Sequence, residues 1–383
     1  MKNDLTNLPT NTYASKDEES MEAILRKLIA FPTVSDDFEA NHEALQYVAQ
    51  HLRQRGMYIQ HIPRTEKNYE AFIASTRPDN AKEPNVLLAA HIDVMAADEE
   101  MFTLTKRDDK YFGRGVLDMK SAIVSYLRAI DDLQGPLKEY DFAVLITSDE
   151  EIGGRDGINT VRQLVDTGYR PKFVVLPDGG QDWQLETISN GYIHLTLEAK
   201  GKTGHSSRPW LGDNAAARLI DALHECKAHF KDQGPDTDTF NLATIQTSVG
   251  PANQIPDFAT AEVSIRVRHL GSLAHWLRLM REICEKYTVQ VIERAAWDVT
   301  FNGLENEYVG RFAELTEQVT GVKVTGFHSY AGSDARFFAE LGIPYANGYP
   351  TGGGHHSKDE WIAQEALPQM AEIVRRYLEL FAK

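Results

Sequence analysis

The sequence predicts an α/β fold, a mainly parallel sheet with helices on both faces, interrupted by a smaller α+β unit. Continuous apolar runs of strand length alternate with helix-period stretches through the first half of the chain, as parallel strands buried on both faces do. Beyond Gly191 the apolar positions alternate with polar ones, as in a sheet covered on one face only. From about 302 the first texture returns, so one unit is expected to be built from both chain ends. A chain of 383 residues is also too long for a single hydrophobic core. The expected division is 1–190 with 302–383 for the α/β unit and 191–301 for the insertion.

Residues 1–17 are polar, carry no period and read as a loose lead-in. Met21, Ile24, Leu25, Leu28 and Ile29 then recur at helical spacing, and Pro32 stops that helix. Ala44, Leu45, Val48, Ala49 and Leu52 mark a second helix, with Gly56 suited to its end cap. Strands are expected at 71–75 (AFIAS), 85–90 (NVLLAA), 142–147 (FAVLIT) and 173–176 (FVVL), with helices over 119–131 and 157–167. In the insertion, Ile193, Leu195, Leu197 and Ala199 share one face of a strand at 192–199. A helix near 214–230, strands near 242–249 and 258–268, a helix near 272–287 and a strand near 289–294 follow. That order, β-α-β-β-α-β, is the ferredoxin-like unit.

Composition removes several function classes. Lys+Arg total 40 against 56 Asp+Glu, a net charge of −16, and no local basic patch offsets it, so nucleic acid is not an expected partner. The longest apolar runs are of strand length and the N-terminus lacks a basic segment followed by an apolar one, so neither a membrane span nor a secretory signal is expected. Cys226 and Cys284 lie outside any CxxC pair and make no disulfide framework. The expected location is the cytoplasm.

Ligands of open α/β sheets bind beyond the carboxyl ends of the strands. Here NVLLAA runs into His91-Ile92-Asp93, FAVLIT into Ser148-Asp149-Glu150-Glu151, and FVVLP into Asp178. Asp118, in GRGVLDMKSA, precedes a predicted helix, where it could equally be an N-cap. Taken singly, each has an ordinary explanation as a structural histidine, a solvated loop or a turn. Their collection at one sheet edge does not, because converging carboxylates repel one another unless a cation neutralises them. Carboxylates with imidazole and no nearby Cys suit catalytic zinc, manganese or cobalt. Three decoys fail. Gly201-Lys202-Thr203 would end a phosphate-binding loop only with Gly at position 196, which is Thr196. His224 and His229 stand five apart, not the four of a zincin helix, and no GxSxG elbow occurs.

Eight motifs in register carry a further reading: His91-x-Asp93, GRGVLDMKSA, SDEEIGG, PDGG, GKTGHSSRPWLGDNA, NQIP, GSDARF and GGGHHSKDEW. With them the chain resembles the co-catalytic di-zinc metallopeptidases that include aminoacylase, carboxypeptidase G, acetylornithine deacetylase, succinyl-diaminopimelate desuccinylase and the carnosinase-like dipeptidases. The resemblance implies two Zn²⁺ ions (Co²⁺ or Mn²⁺ in substitution), one held by His91 and Asp178, the other by Glu151 and His356, with Asp118 bridging. His356 is preferred to its neighbour His355 because the family's His-x-x-Asp-Glu spacing fits His356-Ser-Lys-Asp359-Glu360. Asp93 resembles the carboxylate that orients the His91 ring, and Glu150 the general base.

The same resemblance makes the insertion a lid and dimerisation domain whose His205 reaches the partner subunit's site to stabilise an oxyanion. Arg266 and Asn253 resemble the groups that grip the substrate carboxylate. The strand period agrees, placing Arg266 opposite Ala261, Val263, Ile265 and Val267. Arg336 is expected either at the substrate or in a buried ion pair. Asp178 stands where deacylases and carboxypeptidases of this kind usually carry Glu, which favours a dipeptidase-like or aminopeptidase-like enzyme over an N-acyl amino-acid deacylase. A homodimer acting on a small dipeptide or N-acyl amino acid is the expectation.

Overall fold

The computed structural model describes residues 20–66, 69–80, 82–153, 159–231, 234–248 and 250–383. The lead-in expected at 1–17, and positions 157 and 158 of one predicted helix, lie outside the described residues.

Six strands form the main sheet, in the order Tyr58–Ile62, Ala71–Ser75, Phe142–Thr147, Val86–His91, Val174–Val175 and Tyr345–Ala346. The last four pair in parallel, and the first two join antiparallel at one edge. The sheet is therefore parallel where the expected ligands emerge. Two strands escaped the sequence reading: Tyr58–Ile62 is an exposed edge strand with polar Gln60 and His61, and Tyr345–Ala346 has only two residues. Every residue of Ala71–Ser75, Val86–His91 and Phe142–Thr147 is buried. Because successive side chains point to opposite faces, both faces of the sheet are covered. Helix Lys120–Asp131 packs against Ala366–Phe381, which also packs on Glu307–Thr320, while Phe38–Gln54 lies on the antiparallel edge.

The middle of the chain forms a separate four-stranded antiparallel sheet in the order Thr239–Thr247, Phe258–Val267, Gly191–Lys200 and Val289–Trp297, with helices Ala215–Ala228 and Ser272–Lys286. Burial alternates strictly along Phe258–Val267. Ala259, Ala261, Val263, Ile265 and Val267 join Ile193, Leu195 and Leu197 in a hydrophobic cluster distinct from that of the main sheet. Each large aliphatic side chain so buried contributes about 1.5–3 kcal/mol, enough to give this unit a core of its own. The opposite face is left to Tyr192, His194 and Arg266. Where the middle segment leaves and rejoins the main unit, Leu185–Ser189 pairs antiparallel with Thr300–Phe301.

Candidate active site

His91 is the last residue of its strand and sits in register with Thr147 of the parallel neighbour. The turns leaving these two strands, one with Asp93 and the other with Glu150-Glu151, therefore emerge side by side. Val174–Val175 flanks the His91 strand on its other side and leads to Asp178. Three adjacent strands thus deliver their ends to one point. Asp118 enters from the loop before Lys120–Asp131, and His355-His356 from the turn after Gly352–Gly353.

Asp118 is the hub. Its Oδ1 lies 3.0 Å from His91 Nε2, and its Oδ2 lies 2.8 Å from His355 Nε2 and 3.1 Å from His356 Nε2. His91 Nε2 is also 3.7 Å from Asp178 Oδ1, and His356 Nε2 is 3.1 Å from Glu151 Oε2. Two triads share the Asp118 carboxylate, His91-Asp118-Asp178 and Asp118-His355-His356, each with its donor atoms within 4.8 Å of one another. The two neighbouring imidazoles stack at 3.8 Å between centroids, and the contact with Glu151 distinguishes His356.

Asp93 does more than the sequence suggests, and by other atoms. The His91 Nδ1 lies 3.0 Å from the main-chain carbonyl of Asp93 and 3.5 Å from its carboxylate, so the carbonyl is the ring's closer partner. The carboxylate accepts from Ser35 Oγ at 2.8 Å, Glu151 N at 3.1 Å and Glu150 N at 3.4 Å. Asp93 thereby fixes the turn that presents Glu150 and Glu151. Three supports went unnoticed in the sequence. Tyr349 donates to Asp178 Oδ1 at 3.0 Å, Asn347 Oδ1 accepts from Asp178 N at 2.8 Å, and Glu360 receives the Asp118 backbone N–H at 3.2 Å. The first two sit in GIPYANGYP, which carries no local signal; Glu360 had one, since it closes the His-x-x-Asp-Glu motif.

A cleft of about 650 Å³ opens over this cluster, lined by Glu150, Glu151 and His356 below and by Tyr192, Arg266 and Trp297 of the antiparallel sheet above. Arg266 stands on the face opposite the core and lies over the Tyr192 ring at 4.4 Å. Arg336 also lines the cleft. It is buried, its Nη1 donates to Ser333 O at 2.8 Å, it lies 3.8 Å from Asp334, and its Nε has no hydrogen-bond partner among the described residues. His205 and Asn253 are brought together, 3.3 Å apart, on the exposed ribbon formed by Gly204–His205 and Gln254–Ile255, but neither lines the cleft.

The sequence profile described as "Peptidase family M20/M25/M40" matches residues 87–380. The chain belongs to that family. Similar proteins include the succinyl-diaminopimelate desuccinylase of Parvibaculum lavamentivorans, 26% identical over 77% of this chain and 79% of the relative. The enzyme of the same name from Rickettsia akari is 28% identical over 82% and 87%. Among solved structures, the M20 metallo-carboxypeptidase Sso-CP2 of Sulfolobus solfataricus superposes with a TM-score of 0.74 at 16% identity, over 95% of this chain and 99% of that one. The resemblance read from the eight motifs is borne out: this M20 protein is a hydrolase of amide or peptide bonds.

The M20 family is generally metal-dependent, and the donor set here fits a cation. Asp178 Oδ2 is buried with no hydrogen-bond partner among the described residues, on a carboxylate whose other oxygen lies 3.7 Å from His91 Nε2. Burial acts to raise the Asp118 carboxyl, but hydrogen bonds from His355, His356 and His91 hold it well below the usual carboxylate range. Burial and then the Asp178 charge push Glu150 well above that range, and burial lifts Asp178 to about 6. Hydrogen bonds to Asp118 and Glu151 raise His356 to about 10.

Asp178 and His356 each hold their proton more tightly folded than unfolded, where about 3.9 and 6.5 apply. Their contributions to stability are complete below those unfolded values and are lost as pH rises through about 6 and about 10. The Asp178 share is gone by about pH 6, so above that the His356 share is the one that falls. The metal-free native protein is expected to lose stability relative to a metal-free His356→Gln variant between about pH 6.5 and pH 10, and excess zinc, which replaces the His356 proton, to remove most of that pH dependence. Thermal melts across that range with and without zinc test this. A metal-free stability difference between native and His356→Gln that grows with pH contradicts it.

Proposed function

We propose that this chain hydrolyses an amide bond in a small substrate carrying a free carboxylate, with dipeptides as the first class and N-acyl amino acids as the second. The observation that carries this is one cleft lined both by Glu150, Glu151 and His356, beside the Asp118 cluster, and by the guanidiniums of Arg266 and Arg336. The metal site is proposed as two divalent cations, Zn²⁺ with Co²⁺ or Mn²⁺ able to substitute. His91, Asp118 and Asp178 would hold one; Asp118, Glu151 and His356 the other. Bound there, they supply Lewis acidity toward the scissile carbonyl and acidify water.

Glu150 takes the proton of the attacking water and returns it to the leaving amine. Its burial, which favours the protonated form, suits it to hold that proton between the two transfers. Arg266, braced on Tyr192, and Arg336 orient the substrate carboxylate. His205 with Asn253 provides the oxyanion donor once the 191–301 unit, read as a ferredoxin-like lid, closes or is supplied by a second copy. The strand Thr239–Thr247 supports such a homodimer, since it is a sheet edge that exposes Leu242 and Ile245. A cytoplasmic location belongs to the same proposal.

The short Asp178 side chain favours the dipeptide class, and the names of the two desuccinylases favour the N-acyl class. Dipeptides and N-acetyl, N-succinyl and other N-acyl amino acids, each with zinc, cobalt or manganese, separate them. Cleavage is expected only with a divalent ion and only when the carboxylate is free; equal cleavage of the carboxamide analogue removes Arg266 from its role. Arg266→Ala is expected to raise KM roughly 10- to 100-fold with a smaller change in kcat, the scale of a charged hydrogen-bonded pair.

A further inference from the structure

The cleft carries a third guanidinium besides the two read as gripping one substrate carboxylate. Arg294 lines it as well, beyond Arg266 and Arg336. On the outer face of the antiparallel sheet, Tyr192, His194 and Thr196 succeed one another at two-residue steps, with Arg266 paired to Tyr192 and Glu262 to Thr196. Arg294 falls where the register of Val289–Trp297 slips between Glu293 and Ala295. A bulge of this kind re-aims a side chain. Here it brings the Arg294 Nε to Thr196 Oγ1, at 2.8 Å.

Thr196 in turn donates to Glu262 Oε1 at 2.8 Å, and His194 Nε2 lies 2.7 Å from Glu262 Oε2. Glu262 is thus engaged by its own neighbours, while the two terminal nitrogens of Arg294 have no hydrogen-bond partner among the described residues. Thr196 is four residues along the strand from Tyr192, about 13 Å at the strand rise. Arg266 and Arg294 therefore mark two separate stations on one wall, from which long side chains converge on the cleft. Three carboxylates line the same cleft, but Glu151 lies against His356 of the Asp118 cluster with Glu150 beside it, and Glu262 is bonded to His194 and Thr196, so none of them pairs with the end of Arg294.

We propose that Arg294 is a specificity-determining residue that binds a second anionic group, so that the preferred substrates are amides bearing a carboxylate on each side of the scissile bond. This rests on the reading of Arg266 and Arg336 as the site of the first carboxylate. Dicarboxylic monoamides of amino acids and dipeptides with an acidic first residue both have this chemistry; the N-acetyl amino acids and neutral dipeptides do not.

The test compares N-succinyl with N-acetyl derivatives of one amino acid, and Glu-Ala with Ala-Ala, in the metal-loaded enzyme and in Arg294→Ala and Arg294→Gln. The native protein is expected to favour one of the dianionic members by roughly 10- to 100-fold in kcat/KM, and both variants to lose that preference through KM while the N-acetyl or Ala-Ala rate stays within about two-fold. Loss of both members of a pair in equal measure, or no native preference in either pair, overturns the proposal. Calorimetric binding of succinate against butyrate provides a second readout. If no amide is cleaved but Arg294→Ala weakens succinate alone, the hydrolase reading fails and the second anion station stands. If succinate and butyrate bind alike, the station fails whatever the turnover.

Discussion

Replacing Glu150 by Gln is expected to lower kcat by roughly 10² to 10⁴ while metal content and fold remain unchanged. The amide matches the carboxylate in shape but cannot accept and return a proton. Glu150 is not among the five residues proposed to hold the cations, so its change is expected to remove no metal ligand. Its backbone N–H, 3.4 Å from the Asp93 carboxylate, is untouched, and the turn that carries Glu151 keeps its second tie at 3.1 Å. The loss should fall on kcat more than KM, because proton transfer matters in the transition state and not in substrate binding. Metal analysis beside steady-state kinetics distinguishes this from damage to the cluster. A Glu150→Gln variant that keeps native turnover would remove Glu150 as the base, and one that loses zinc would make it a ligand.

The parts of the site readable in the sequence are those fixed by local periodicity. An apolar run defines a strand, and the residue after it must sit at the sheet edge, which places His91, Glu150, Glu151 and Asp178 without any long-range information. Likewise the two-residue period put Arg266 on the face away from the core, where it is found. Asp118 had two readings, cap or ligand. Met119 occupies the N-cap position and the Asp118 carboxylate faces three imidazoles instead. What the sequence could not show is set by contacts across large separations. Tyr349 and Asn347 meet Asp178 from 171 and 169 residues away, and no local pattern encodes that pairing. Choosing between His355 and His356 needs the position of Glu151. Arg294 was hidden for a different reason: the register slip beside it breaks the alternation, and the strand expected to stop near 294 continues to Trp297.

Glu360→Ala is expected to destabilise the protein by about 3–5 kcal/mol and to weaken metal binding as well. Glu360 is buried, and its carboxylate gathers the whole approach to Asp118. Oε1 accepts from the backbone N–H of Gly115 at 3.0 Å, Leu117 at 2.9 Å and Asp118 at 3.2 Å, while Oε2 accepts from Arg114 Nη1 at 2.7 Å. Burial raises this carboxyl and the backbone donors oppose the rise, so the charge is held by those hydrogen bonds. Truncation strands the buried Arg114 guanidinium and several buried N–H groups at once, each costly to leave unpaired. The loop has little freedom to find other partners, because Gly115 has φ +90° and its Cα faces Lys120 and Val94 so closely that an added Cβ would lie 3.0 Å from each. Asp118 supplies both oxygens to the cluster, so a displaced backbone at that residue disturbs both triads together. Glu360→Gln keeps an acceptor and the volume but not the charge facing Arg114, and should lose less. Urea denaturation with an unchanged m-value, alongside a zinc titration, reads the two effects separately. A Glu360→Ala protein as stable as the native one, with native zinc affinity, would mean that Asp118 is held by its ligands alone and that the carboxylate beneath it is dispensable.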